Sequence, residues 1–194
     1  DGAVADDRLG MRIAAGNLTA DAQVDLLMSA PLGEFTPTGL VPRVDCGFVY
    51  VRTIAGASAG VENVSSVATA GVTQTRLEGA ARGAGFNFLF STADLNGDGI
   101  RDVVVASPTE DRNGRAGSGT VYVIFGGPNL ALSQEISLAS GATVGLRIEG
   151  AAAGDVLGDR ILGMGDVNGD GYDDLVVSAR GADNNARANS GSVY

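Results

Sequence analysis

A nine-residue acidic pattern occurs twice in this chain. Residues 94–102 are Asp-Leu-Asn-Gly-Asp-Gly-Ile-Arg-Asp, and residues 166–174, which begin 72 positions later, are Asp-Val-Asn-Gly-Asp-Gly-Tyr-Asp-Asp. Both copies carry oxygen-bearing side chains at positions 1, 3, 5 and 9 around a glycine turn, and this pattern is typical of a calcium loop. A largely apolar stretch follows each copy at once, at 103–107 and at 175–178. The pattern therefore predicts two metal loops, each of which leads into a β-strand.

Each loop is expected to bind one Ca²⁺ ion, so that the chain binds about two. Calcium takes six to eight oxygen ligands at about 2.3–2.6 Å, whereas magnesium demands a smaller octahedral site and retains its water. Gly99 and Gly171 permit the turn that brings the oxygens of each loop together. The predicted ligands are the side chains of Asp94, Asn96, Asp98 and Asp102 with the carbonyl of Ile100, and the side chains of Asp166, Asn168, Asp170 and Asp174 with the carbonyl of Tyr172.

Other loops share part of this pattern. An EF-hand or a dockerin-type loop has the same first six positions, but an EF-hand needs a bidentate Glu at position 12 and a helix after it. Position 12 is Val105 in one copy and Val177 in the other, and strand-forming residues surround both. A solvated Asp-Asn-Gly turn without metal is the remaining alternative.

A degenerate third version of the loop lies at 17–25. It reads Asn-Leu-Thr-Ala-Asp-Ala-Gln-Val-Asp, so it keeps Asp21 and Asp25 but lacks the glycine and two ligand-grade side chains. We interpret it as a metal-free structural turn, although its sequence does not decide whether it binds metal.

The loops belong to a longer internal repeat. The Gly-Thr-Val-Tyr of 119–122 corresponds to Gly-Ser-Val-Tyr at 191–194 and to Gly-Phe-Val-Tyr at 47–50, at shifts of 72 residues in either direction. Self-similarity at a fixed period is typical of repeat architectures. The predicted copies are approximately 2–78, 79–149 and 150–194, the last of them truncated.

The order of elements within a copy predicts an all-β fold. A short strand, the loop, a second strand, a polar connection, a third strand, a longer connection and a fourth strand follow one another. In the second copy we expect strands at 88–91, 121–125 and 144–148 besides the one after the loop. Four antiparallel strands in about 72 residues are the content of one β-propeller blade, although a repeated hairpin in a solenoid or sandwich is an alternative.

The copies do not complete a ring. About 2.7 blades are present, because the third copy stops in its third strand, and a propeller needs four to eight. We therefore expect this chain to be a piece of a longer protein, or else a subunit that completes its ring by association with further blades or another chain.

Composition excludes several classes of function. The formal net charge is −10, and the 13 Lys and Arg residues form no basic patch, so a nucleic-acid partner is not expected. The chain has no histidine and a single cysteine, Cys46, which excludes an intrachain disulfide and the usual zinc and Cys–His sites. We expect Cys46 to be a small buried residue. No apolar stretch approaches the 18 residues of a membrane span. Catalysis is not expected either, because the most plausible acids are already assigned to calcium.

Taken together, these motifs resemble FG-GAP repeats. The resemblance rests on the Asp-x-Asn-Gly-Asp-Gly-x-x-Asp loops, the valine-rich strand that ends near Pro108, and the Gly-x-Val-Tyr-Val and Phe-Gly-Gly of 119–127. It implies the seven-bladed β-propeller of integrin α subunits, an extracellular location, and calcium in the hairpin between the first and second strands, opposite the ligand-binding loops. One departure is the Phe86-Asn87 corner, where the family has Phe-Gly.

The predicted function is a calcium-stabilised extracellular binding or adhesion module, secreted or at the cell surface. Its partner would be a protein or a glycan of unknown identity, contacted by loops such as 32–45 and 110–115. Two alternatives remain open. One is a structural or assembly segment that pairs through an open strand edge. The other is the non-catalytic propeller part of a larger secreted hydrolase.

Overall fold

The computed structural model describes the chain in seven segments, 8–21, 23–32, 47–54, 72–79, 90–131, 135–137 and 145–194. These segments contain twelve β-strands and one short 3₁₀ turn, Pro128–Ala131, and they contain no α-helix. The prediction of an all-β fold is therefore confirmed. The chain divides into two compact units, Asp1–Phe88 with Gly126–Thr143, and Leu89–Phe125 with Val144–Tyr194.

The first unit contains one sheet of five strands in the order β1-β2-β3-β4-β8. Its first four strands are antiparallel neighbours in chain order, as predicted for one repeat copy. The fifth strand was not predicted, and it pairs with β4 in parallel. The bounds are β1 Ile13–Gly16, β2 Asp25–Ala30, β3 Phe48–Ile54, β4 Val72–Glu78 and β8 Glu135–Ser137.

The second unit contains two sheets. One has four antiparallel strands in the order β5-β6-β7-β9, and the other has three in the order β10-β11-β12. The four-stranded antiparallel sheet predicted for the second copy is thereby confirmed. The bounds are β5 Phe90–Ala93, β6 Asp102–Ser107, β7 Thr120–Ile124, β9 Leu146–Glu149, β10 Leu157–Gly165, β11 Asp174–Ala179 and β12 Ser192–Val193.

The two sheets of the second unit have equivalent strand pairings. Val105 is paired with Tyr122 in the first of them. In the second, Val177 and Tyr194 exchange both backbone hydrogen bonds, at 3.0 and 2.9 Å. These pairs are related by the 72-residue shift of the sequence repeat. The repeat read from the sequence is thus a repeat of strand pairing.

An apolar core joins the two sheets of the second unit. Every residue of β6 and β7 is buried. Val104, Val121 and Val123 on these strands share a cluster with Leu157 of β10 and Val177 of β11. Because burial of a Val or Leu side chain contributes about 1.5–3 kcal/mol, this cluster holds both sheets and fixes the loops at their ends.

Three strand bounds of the second copy differ slightly from expectation. The predicted third strand at 121–125 runs from Thr120 to Ile124, and the fourth, expected at 144–148, is Leu146–Glu149. Phe125 lies outside the ladder, against Gly145. The strand expected at 88–91 is observed as Phe90–Ala93, and residues 88 and 89 lie outside the described residues.

Some predictions concern residues that the structure does not describe. Cys46, the Phe86-Asn87 corner and nearly all of the 32–45 loop are among these residues. For the described segments, no helix has both the length and the apolar character that crossing a membrane requires.

Candidate metal centre

Both predicted metal loops lie at the tips of β-hairpins. Residues 94–102 connect β5 to β6, and residues 166–174 connect β10 to β11. Strand pairing closes each hairpin at the first residue of its second strand, Asp102 opposite Ala93 and Asp174 opposite Gly165. Positions 1 and 9 of each loop are therefore neighbours across the base of the hairpin. A strand follows each loop, as predicted, and this excludes the helix that an EF-hand requires.

The carboxylate at position 1 organises each loop. In both loops it accepts the backbone N–H groups of positions 4, 5 and 6. Asp94 accepts them from Gly97, Asp98 and Gly99 at 2.8, 3.1 and 2.8 Å. Asp166 accepts them from Gly169, Asp170 and Gly171 at 2.6, 3.0 and 2.9 Å.

In loop 166–174, these hydrogen bonds favour the anionic form of the Asp166 carboxylate. The Gly171 N–H makes the largest contribution to lowering the pKa of Asp166, and the N–H groups of Gly169 and Asp170 lower it further, against a smaller opposing effect of desolvation. Hydrogen bonds to a carboxylate favour its charged form. Asp166 is thus an anion on an exposed loop, which suits a cation ligand.

Positions 3, 5 and 9 also carry the same hydrogen bonds in both loops. The amide of Asn96 donates to Asp98 at 2.9 Å, and that of Asn168 donates to Asp170 at 3.1 Å. At position 9, Asp102 accepts the N–H of position 2 at 2.8 Å, and Asp174 does so at 2.9 Å. Two loops of different sequence therefore adopt one conformation.

The glycine at position 6 of each loop has a left-handed backbone. The φ angles of Gly99 and Gly171 are +83° and +93°. A Cβ atom at either position would meet no other atom within 4 Å, so the requirement for glycine comes from the backbone angle alone. The turn predicted at these glycines is present, and its role in gathering the loop oxygens around an ion stays a prediction.

The structure does not draw the carboxylates of a loop into one cluster. Within the segments described above, no three Asp, Glu, His or Cys side chains are close enough to hold a metal ion. Instead, Asp98 accepts the Ile100 N–H at 2.8 Å, and Asp170 accepts the Tyr172 N–H at 3.0 Å. Mutual repulsion of three carboxylates favours this spread arrangement. The candidate ligand atoms of each loop are all oxygens, which fits a hard cation. Because the carboxylates of the described loops are not clustered, the ten predicted ligands remain a prediction.

The sequences of both loops match a known repeat family. The FG-GAP repeat matches residues 86–124 and 160–194, and each match includes one loop with strands on either side of it. These two segments are FG-GAP repeats. The resemblance inferred from the motifs is therefore confirmed, and the antiparallel sheets of the second unit are consistent with blades of a partial β-propeller.

Integrin α subunits are similar to this chain. Integrin alpha-PS5 of Drosophila melanogaster is 32% identical over 111 residues, which are 56% of this chain and 10% of that protein. Integrin alpha ina-1 of Caenorhabditis elegans is 37% identical over 67 residues, 34% of this chain and 6% of that protein. Integrin alpha-5 of Xenopus laevis is 26% identical over 175 residues, 90% of this chain and 15% of that protein. The chain thus spans a small part of the length of these relatives.

The degenerate loop at 17–25 lies outside both FG-GAP matches. Its position-9 carboxylate, Asp25, is fully buried and accepts the N–H groups of Leu18 at 2.7 Å and Thr19 at 3.0 Å. It also accepts hydroxyl hydrogen bonds from Thr19 and Thr53. Hydroxyl groups therefore bind the oxygens of Asp25 from within the protein. This arrangement favours the interpretation of a metal-free turn.

A buried polar cluster in the second sequence copy was not recognised from the sequence. Glu110 is 2% exposed, and it accepts the hydroxyl hydrogen bond of the fully buried Tyr122, at 2.8 and 2.9 Å to its two oxygens. The Nε of Arg112 lies 2.7 Å from the Glu110 carboxylate, and its guanidinium also donates to the Tyr122 hydroxyl. Burial raises the pKa of Glu110, and the Tyr122 hydrogen bond and the Arg112 charge oppose only part of this shift.

The sequence contained only an indirect signal of this cluster. Residues 110–115 read as a solvated polar connection, because three of the first four residues, Glu110, Asp111 and Arg112, are charged. The third sequence copy has Ala182 and Asn184 where the second has Glu110 and Arg112. Both charged residues are thus replaced together, at two repeat positions, and this was the available indication that they contact each other.

Proposed function

We propose that this chain is a calcium-stabilised extracellular binding module of the adhesion type, built of FG-GAP repeats. The observation that carries the proposal is the identical hydrogen-bond arrangement of two loops, 94–102 and 166–174, whose sequences keep the same oxygen donors. Each loop places three carboxylates at the predicted ligand positions, and a loop that had only to turn a hairpin would not need them.

Calcium has a structural role in this proposal. When bound, it offsets two of the three negative charges at the ligand positions of a loop and adds coordination bonds across the hairpin tip. Positions 1, 3, 5 and 9 would supply side-chain oxygens, and Ile100 and Tyr172 would supply backbone carbonyls. The backbone N–H bonds to Asp94 and Asp166 give the two loops the same turn, which supports this proposal.

The opposite end of the strands is the proposed contact surface. The connection from β6 to β7 exposes Asp111 and Asn113, and the connection from β11 to β12 exposes Asp183 and Asn185. Both connections lie at the ends of the strands away from the metal loops, because each strand runs from its metal loop to its connection. The integrin α relatives support adhesion as the class of function, and they support an extracellular or cell-surface location.

We propose no catalytic role for the chain. The acids of the two exposed loops are assigned to calcium, and Glu110 is occupied by Tyr122 and Arg112. The named relatives are integrin α subunits, and FG-GAP is a non-catalytic repeat.

Calorimetric titration with calcium tests the metal assignment. We expect about two sites in the wild-type chain, and one site in either Asp98→Ala or Asp170→Ala. A matched control is Asp183→Ala, which also removes one negative charge. Asp183 lies in the connection between β11 and β12, away from the loop 166–174, so this variant should retain two sites. Two sites in both loop variants would reject the assigned ligands.

The binding role is tested separately from the metal. The wild-type chain is passed over immobilised extracellular-matrix proteins and glycans in calcium and in EDTA. Saturable binding that requires calcium is expected. If no partner binds, and if size-exclusion mass measurement shows association of chains in calcium, the assembly alternative would replace the adhesion proposal.

A further inference from the structure

We infer that the two loops bind calcium cooperatively and that Asp173 is the residue that couples them. This inference rests on the proposed calcium function. It concerns a connection between the loops, whereas the family resemblance concerns the ligands within each loop. Asp173 lies at position 8 of the loop 166–174, between two predicted ligand positions, and it is not itself a predicted ligand.

Two hydrogen bonds join Asp173 to Asp94, the first residue of the other loop. The Asp94 N–H donates to Oδ2 of the Asp173 carboxylate at 2.9 Å. The Asp173 N–H donates to the carbonyl oxygen of Asp94, also at 2.9 Å. Both residues are partly buried, so neither bond is fully exposed to water. Both the N–H and the carbonyl group of Asp94 therefore make hydrogen bonds to the neighbouring loop.

A side-chain contact reinforces this pair of hydrogen bonds. The ring of Tyr172 lies against Gly97, and a Cβ atom built on Gly97 would lie only 2.9 Å from Cε1 of that ring. Gly97 follows Asn96, a predicted ligand, and the carbonyl of Tyr172 is a predicted ligand of the other loop. The two loops therefore touch at residues that are ligands or that adjoin ligands.

Coupling follows from what calcium would fix in each loop. An ion bound at 166–174 would hold the Tyr172 carbonyl and the Asp174 carboxylate, and so it would restrain Asp173 between them. Asp173 would in turn hold Asp94, the residue around which loop 94–102 is organised. A segment that one ligand has already ordered costs the second ligand less to order, which is positive coupling. Two dications without such a connection would only repel each other.

The corresponding residue of the other loop is different. Arg101 occupies position 8 of loop 94–102, is exposed, and donates to the carbonyl of Thr92 within its own hairpin at 3.3 Å. The position-8 side chain thus contacts its own hairpin in loop 94–102 and the other loop in 166–174. An acid at this position in loop 166–174 gives the Asp94 N–H its acceptor.

Site-resolved calcium titration by ¹H–¹⁵N NMR tests the coupling. The amide signals of Gly99 and Gly171 report the two loops separately, and the same spectra show whether each variant is folded. Asp170→Ala disables loop 166–174, and we expect it to raise the calcium dissociation constant measured at Gly99 by about fivefold or more. Linkage requires that Asp98→Ala weaken binding at Gly171 by the same factor.

A double-mutant cycle assigns the coupling to Asp173. In an Asp173→Ala background, which removes the carboxylate acceptor of the Asp94 N–H, Asp170→Ala should raise the Gly99 dissociation constant by a clearly smaller factor than in the wild-type background. Asp173→Asn keeps an oxygen acceptor for the Asp94 N–H but loses the charge, so it should preserve the coupling. A role of Asp173 in general stability or in charge alone would not produce this pattern.

Three results would overturn the inference, and the last of them would also reject the proposed metal function. An unchanged Gly99 dissociation constant in Asp170→Ala would show that the loops are independent. A full Asp170→Ala effect in the Asp173→Ala background would show that the coupling takes another route. If neither glycine responds to calcium in the wild-type chain, the proposed metal function itself fails, and the inference fails with it.

Discussion

Individual carboxyl groups in this chain occupy two contrasting environments. Those at the first position of the predicted metal loops, Asp94 and Asp166, accept hydrogen bonds from backbone N–H groups at hairpin tips. Asp25 and Glu110 are buried and bound by side-chain hydroxyl groups. The first environment is suited to a cation and the second to internal packing, so the acidity of the chain does not have a single explanation.

The backbone angle at Gly171 predicts the result of adding a side chain. Gly171→Ala would place a Cβ at a φ of +93°, and we expect it to lower the free energy of unfolding by about 1–2 kcal/mol in EDTA. Asn tolerates this region of backbone space, so Gly171→Asn should lose less stability. Urea denaturation of both variants makes the comparison. Equal stability of Gly171→Ala and wild type would show that the loop does not need this angle.

The buried Glu110 predicts a specific dependence of stability on pH. Its pKa is raised above 4.5 in the folded chain, so the folded state binds the Glu110 proton more tightly than the unfolded state does. Ionisation of Glu110 therefore costs stability as the pH rises from 4.5 through the raised pKa. We expect the free energy of unfolding of the wild type to fall over this range relative to that of Glu110→Gln, so that the difference between the two decreases. Urea denaturation in EDTA measures it, and a difference that rises with pH would contradict the account.

At the scale of elements, the two sheets of the second unit depend on the apolar core between them. Leu157 of β10 is 4% exposed and packs in that core, whereas Leu162 on the same strand is 57% exposed. We expect Leu157→Ala to cost about 2–5 kcal/mol of unfolding free energy. Leu162→Ala is the matched control and should change stability by less than about 0.5 kcal/mol. Similar losses in both variants would mean that the core does not join the sheets as described.

Elements with local signals were predicted well from the sequence. The loops 94–102 and 166–174 and the strands after them depend on residues that are close in the chain, and the 72-residue repeat supports both. The strand β8 was missed because it pairs in parallel with β4, which is distant in the sequence. No periodic sequence pattern predicts such a pairing. The burial of Glu110 was missed for the same reason, since its partner Tyr122 lies on the following strand.

At the scale of the whole molecule, calcium binding and folding are expected to be linked. An ion that binds the folded chain stabilises it, by about 2.7 kcal/mol per site when free calcium is 100 times the dissociation constant. We therefore expect calcium to raise the Tm above its value in EDTA. Differential scanning calorimetry measures this shift, and a variant that combines Asp98→Ala with Asp170→Ala is the control. An equal shift in that variant would place the stabilising calcium elsewhere.

The central claim is that the hairpin tips at 94–102 and 166–174 are calcium sites. A crystal structure of the chain grown in saturating calcium, with anomalous scattering used to locate the ions, tests it most directly. The account predicts one calcium peak within each tip, surrounded by the oxygens of positions 1, 3, 5, 7 and 9. Well-ordered tips that contain no anomalous peak would contradict it.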